Sequence, residues 1–95
     1  MKVTFRDVSR GIVDARATLE FDDGLKVNEI TIIRKYNKCT VEFPEKAFRG
    51  KDNKLHRINV ITFVDDNKKL LWEMELLRKH EIWRKKNRRI LVHEA

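Results

Sequence analysis

Val13-Asp14-Ala15-Arg16-Ala17-Thr18-Leu19-Glu20-Phe21 alternates apolar and polar side chains residue by residue. Asp22-Asp23-Gly24 follows, and then Leu25-Lys26-Val27-Asn28-Glu29-Ile30-Thr31-Ile32-Ile33-Arg34. A period of two is the pattern of a half-buried strand, because alternate side chains share a face. Asp-Gly between two such runs is among the stronger short hairpin signals. The second run is rich in β-branched residues, which suit a pleated surface. Residues 13–34 therefore read as an antiparallel hairpin with one apolar face.

The flanks extend that reading. Upstream, Val3, Phe5 and Val8 alternate loosely before a turn at Ser9-Arg10-Gly11. Downstream, Tyr36-Asn37-Lys38 reads as a second turn and Cys39-Thr40-Val41-Glu42-Phe43 as a short strand. Pro44 ends that strand, because it has no N–H for the ladder. Residues 45–54 are polar with one glycine and read as a loop. Leu55 to Val64 reads as the last strand, with an irregularity near Ile58 that suggests a bulge.

The character changes at Asp65-Asp66, either of which can cap a helix. From Asn67 to about Arg89 there is no Gly or Pro, and Leu, Glu, Lys and Arg dominate. At 100° per residue, Leu70, Met74 and Leu77 form one stripe, flanked by Leu71 and Ile82, and this stripe is expected to cover the sheet. Trp72, Leu76 and Trp83 form a second stripe on another side. One helix on one sheet does not bury both. The second stripe is thus a candidate interface with a second copy, an aromatic binding patch, or the mark of a bent end that folds Trp83 back. Ile90-Leu91-Val92 is a short apolar coda, strand or helix end.

The expected fold class is α+β: an antiparallel meander of about five strands over residues 2–64, with a C-terminal helix over about 66–89 packed on or beside the sheet. The tail, 84–95, is basic and then apolar. The 95-residue length fits one small domain, 1–95, and no Pro, Gly or Ser-rich linker divides it.

Charge narrows the function. Lys and Arg number 22 against 15 Asp and Glu, a formal net charge of +7. Residues 1–66 carry +2 of that and residues 67–95 carry +5. An excess of this kind points to nucleic acid, an acidic partner or an anionic membrane surface. The membrane option is weak, since the basic segment lacks a broad apolar face at its charged end. The basic run Arg78, Lys79, Arg84, Lys85, Lys86, Arg88 and Arg89 is the first candidate nucleic-acid surface. Lys and Arg neutralise phosphates and release counterions without needing a sequence code. Lys46, Arg49, Lys51 and Lys54 form the second, with His56 and Arg57 beside them. Trp83 and Phe48 are candidate rings for stacking on an exposed base. Glu75–Lys79 and Glu81–Lys85 are spaced as helix ion pairs, which suits stability rather than binding.

Chemistry is harder to find. His56, His80 and His93 lack metal-clamp spacing. Asp22-Asp23 and Asp65-Asp66 sit where turns and caps favour Asp. Gly11, Gly24 and Gly50 are isolated, so no phosphate-cradling loop exists. Cys39 is the single cysteine, which excludes an internal disulfide framework and a multi-cysteine zinc site. No catalytic residue, metal, cofactor or small-molecule substrate is expected. Met1 to Asp7 lacks the apolar core of a signal peptide, and Ile58 to Val64 is far short of the ~20 residues that span a bilayer. The expectation is a soluble, reduced, cytoplasmic protein.

Two stretches resemble a known family. Val27-Asn28-Glu29-Ile30-Thr31-Ile32-Ile33 is similar to the Val-His-Asp-Ile-Arg-Val-Ile strand of the SpoVG family, bacterial regulators named for sporulation and septation. Phe43-Pro44-Glu45-Lys46, a polar loop and Leu55-His56-Arg57-Ile58 resemble that family's Met-Pro-Ser-Lys-Arg segment, its glycine-containing loop and its Tyr/Phe-Arg-Asp-Ile strand. The resemblance spans Thr18 to about His80. It implies the strand-to-helix order above, DNA or RNA as partner, and a homodimer joined through sheet edges. The chain departs at Val60-Ile61, where the family carries His-Pro, and at Asp65-Asp66-Asn67-Lys68-Lys69, where the family is rich in Ser, Thr and Arg. The alternative reading is a protein-interaction module using the Trp72, Leu76 and Trp83 face.

Overall fold

The computed structural model describes residues 1–94, with side chains described as far as Asn87. Seven elements follow in order. They are β1 (Lys2–Arg10), β2 (Val13–Glu20), β3 (Lys26–Lys35), β4 (Lys38–Glu42), β5 (Glu45–Arg49), β6 (Leu55–Asn59) and α1 (Asp66–Glu94). β1 to β4 form a four-stranded antiparallel meander, and β5 with β6 forms a separate two-stranded ribbon. The fold is α+β, a meander with a C-terminal helix laid on one face.

The ribbon corrects three expectations. Residues 45–49 are a strand rather than part of a loop, pairing from Glu45↔Asn59 to Arg49↔Leu55. Both faces of β5 are exposed, so its side chains carry no alternation to betray it. The last strand stops at Asn59 instead of reaching Val64. Val60 N–H donates to the Pro44 carbonyl at 3.1 Å. Pro44 cannot donate in return, and the ladder ends there. The register through Ile58 is unbroken, so no bulge lies there. Bulges fall instead between Asp7 and Arg10, between Val13 and Ala15, and between Ala17 and Leu19.

Asp65 caps the helix, accepting a bond from Lys68 N–H at 2.8 Å on its side chain. The backbone remains helical through Ile90-Leu91-Val92 to Glu94. The helix turns the opposite stripe to the sheet from the one expected. Leu76 is fully buried and Trp72 half-buried, while Met74 is 57% exposed and Leu70, Leu71 and Ile82 also face outward. Aromatic rings decide the orientation. Phe21 meets Trp72 edge-on at 6.3 Å between centroids, and Phe5 meets Trp83 at 5.4 Å. Two aromatic pairs add roughly 0.5–1.5 kcal/mol each beyond the area they bury. Ala15 and Ala17 supply the flat floor that lets the helix approach, with Leu19, Ile30 and Ile32 completing the buried apolar set.

Candidate nucleic-acid interface

The ribbon is the most available basic surface. Its tip is closed by Gly50 N–H to the Lys54 carbonyl at 3.1 Å and Asn53 N–H to the Gly50 carbonyl at 3.0 Å. Asn53 takes a positive φ of 60°, a conformation Asn tolerates well. Asp52 accepts Lys54 N–H at 3.0 Å and lies 2.9 Å from His56 Nε2. That contact with His56 is the main reason the Asp52 carboxyl sits below its ordinary range. A Cβ on Gly50 would come within 2.8 Å of the His56 ring, so the tip is built around glycine.

Pairing sets the faces of the ribbon. Lys46/Ile58 and Phe48/His56 share one face, Ala47/Arg57 and Arg49/Leu55 the other. The Phe48 and His56 rings stack at 5.4 Å with 24° between planes. Phe48 is 42% exposed and stands outside the core. Arg49 Nη1 donates to the Asn53 carbonyl at 2.9 Å and braces the tip. Lys46, Lys51, Lys54 and Arg57 are exposed and make no ion pair among the described residues. The acidic residues of the ribbon are only Glu45 and Asp52, and Asp52 is engaged with His56.

The helix run is less available than its charge suggests. Arg78 Nη2 donates to Glu75 Oε1 at 2.6 Å, and Lys79 Nζ lies 3.7 Å from the same oxygen. Lys85 Nζ lies 3.2 Å from Glu81. Exposed pairs like these are worth roughly 0–1 kcal/mol, so a phosphate can displace them, but each Glu still subtracts charge. Lys86 lies on the rim of a groove with Arg78, Ile82, Trp83 and Phe5. The side chains of Arg88 and Arg89 lie outside the described residues.

Four expected site residues belong to the fold instead. Trp72, Leu76 and Trp83 pack on the sheet and form neither an outward interface nor an open stacking face. Arg84 has a side chain only 12% exposed and donates to Asp14 Oδ2 at 2.9 Å and Asp7 Oδ1 at 3.2 Å. Its guanidinium also lies over the Trp83 ring at 4.5 Å. His80 Nε2 contacts the same Asp14 oxygen at 2.6 Å, and Arg34 Nε lies 3.5 Å from the other. The register shift between Val13 and Ala15 aims Asp14 at the helix although its neighbour Ala15 is buried beneath it. Sequence reading missed this cluster because its members are 66 and 70 residues apart and only a bulge brings Asp14 to the helix.

Asp14 titrates below its ordinary value. Burial favours the neutral carboxyl, but bonds from His80 and Arg84 and the Arg84 charge outweigh it. The cluster is thus a charged latch between strand and helix. Cys39 is a free, half-buried thiol. Among the described residues, no group of three or more His, Cys, Asp or Glu is arranged to hold a metal, and no helix is long and apolar enough to cross a membrane.

The two basic groups sit toward opposite ends of α1. The ribbon base, through Glu45, Arg57 and Asn59, lines a cleft with Asp65, Asp66 and Lys69 at the helix start. The run from Arg78 to Arg89 occupies the far half. Comparison with models of known protein families and with curated proteins finds no match.

Proposed function

We propose that this chain is a nucleic-acid-binding regulatory protein of the SpoVG type, acting in the cytoplasm by binding DNA or RNA rather than by catalysis. The observation that carries the reading is the ribbon. It sets Lys46 on the face of an exposed Phe48–His56 stack, with Lys51 and Lys54 at the tip and Arg57 on the opposite face, none of the four in an ion pair among the described residues. Cations that are not neutralised locally contact phosphates, and an exposed ring next to them accepts a base. The helix run adds Arg78, Lys79, Lys85 and Lys86, with Arg88 and Arg89 beyond them. Arg84 is not in the set, because Asp7 and Asp14 hold it.

A second copy is the other expected partner. The chain exposes 7823 Å², against roughly 5,800 Å² for a compact monomer of its mass. Leu55, Ile58, Val60 and Val64 are exposed around the ribbon, and Leu70, Leu71 and Met74 along the helix. Large exposed apolar side chains such as these favour association. The outer edges of β1 and β4 and both ribbon edges carry unpaired backbone groups suited to strand addition. The protein-interaction alternative therefore draws on these residues and not on Trp72, Leu76 and Trp83.

An electrophoretic shift against DNA and RNA pools at two salt concentrations tests the reading. Binding should weaken with salt, and the combined substitution of Lys46, Lys51, Lys54 and Arg57 by Ala should abolish most of it. Retention of full affinity by that variant contradicts the ribbon assignment.

A further inference from the structure

The β3–β4 turn is locally unfavourable in two ways at once. Tyr36 and Asn37 form a two-residue loop with φ of 53° and 62°, the pattern of a type I′ turn. Asn and Gly suit those angles, whereas a bulky ring in the left-handed region is a strained choice. The pair that closes the loop is Lys35↔Lys38, and like charges directly opposite each other destabilise a ladder. The outcome is a ring that is 91% exposed, with Lys35 Nζ 5.7 Å from its centroid. No acidic residue occurs between Ile33 and Val41. The neighbouring β1–β2 turn is tied on by Arg34 N–H to the Ile12 carbonyl at 2.8 Å.

We propose that Tyr36, flanked by Lys35 and Lys38, is a base-stacking contact for single-stranded nucleic acid. This rests on the nucleic-acid reading above and adds a site that the ribbon and the helix run do not include. Local strain persists where the surrounding structure holds it, and such positions concentrate at functional sites. A ring with one ammonium group beside it, on a turn closed by a second lysine, meets one nucleotide by its base and its phosphate together. A duplex keeps its bases stacked inside and offers the ring nothing.

The test compares the wild type with Tyr36→Asn, Tyr36→Phe and Lys38→Ala. Fluorescence anisotropy reads binding to a short single-stranded DNA, the same sequence as RNA, and the DNA duplex. Tyr36→Asn should weaken both single strands, or whichever of them the wild type binds, about 5- to 150-fold, the range found for losing one stacked base. Duplex affinity should stay within about twofold, and Tyr36→Phe should bind like the wild type because stacking needs only the ring. Asn is favoured in the left-handed region, so Tyr36→Asn should melt no lower than the wild type. Lys38→Ala relieves the like-charge pair and should raise the melting temperature while weakening binding to every strand.

Wild-type binding that Tyr36→Asn leaves unchanged overturns the inference and leaves the wider function standing. Equal loss on single strand and duplex, or failure of Tyr36→Phe to bind, also overturns it. So does a change in sedimenting mass with Tyr36→Asn at constant affinity, which assigns the tip to self-association. A wild type that binds no nucleic acid overturns both readings.

Discussion

Asp14 shows how much one residue can hold. His80, Arg84 and Arg34 all reach its carboxyl, and two of the three come from the helix. Its folded-state pKa is lowered, so the charged form stabilises the fold at pH above the unfolded value of about 3.8 and that contribution fades as pH falls through the folded value. Acid melts should therefore show stability falling below about pH 4, and Asp14→Asn should flatten that limb. At neutral pH, Asp14→Ala leaves Arg84 and His80 without their shared acceptor and should cost about 2–4 kcal/mol by urea unfolding. A loss under about 0.5 kcal/mol contradicts the latch. At this scale the sequence is least legible. Arg84 looked like one more residue in a basic run, and nothing along the chain marks which Arg a distant Asp will take. The strain at Tyr36 was equally hidden, because Tyr36-Asn37-Lys38 is recognisable as a turn but its φ values are not.

Elements were read better where burial imposes a pattern. β2 alternates because Ala15, Ala17 and Leu19 must face the helix, and β2 and β3 are found where expected. The ribbon was half missed because neither face is buried and its residues obey no period. The helix lies where its Asp65 cap and composition place it, but its inward stripe is not the one that periodicity favours. Counting leucines favoured Leu70, Met74 and Leu77, whereas packing favoured the larger rings of Trp72 and Trp83 on Phe21 and Phe5. A pair of substitutions separates the two orientations. Leu76→Ala should lose about 2–5 kcal/mol of stability and Met74→Ala under about 1 kcal/mol. The reverse order, read by thermal or urea unfolding, contradicts the helix orientation. For the ribbon, Gly50→Ala forces the His56 ring away from Asp52 or Phe48. Faster amide exchange across residues 46–58 with little change in global melting is expected, since the ribbon does not share the core.

The whole molecule is extended for its length. Its radius of gyration is 15.7 Å, against roughly 12 Å for a compact domain of this size. A ribbon beside one end of the helix and a basic run along the other half give two separate basic surfaces. A dimer would double them, and sedimentation equilibrium should give twice the 11.4 kDa chain mass. A concentration-independent monomer contradicts the second copy as partner. The salt dependence of oligonucleotide affinity tests the central claim most directly. Four phosphate contacts from the ribbon predict that log affinity falls against log salt with a slope of about −3 or steeper, and that replacing Lys46, Lys51, Lys54 and Arg57 by Ala removes about three units of that slope. A wild-type slope near zero, or no binding at low salt, contradicts it.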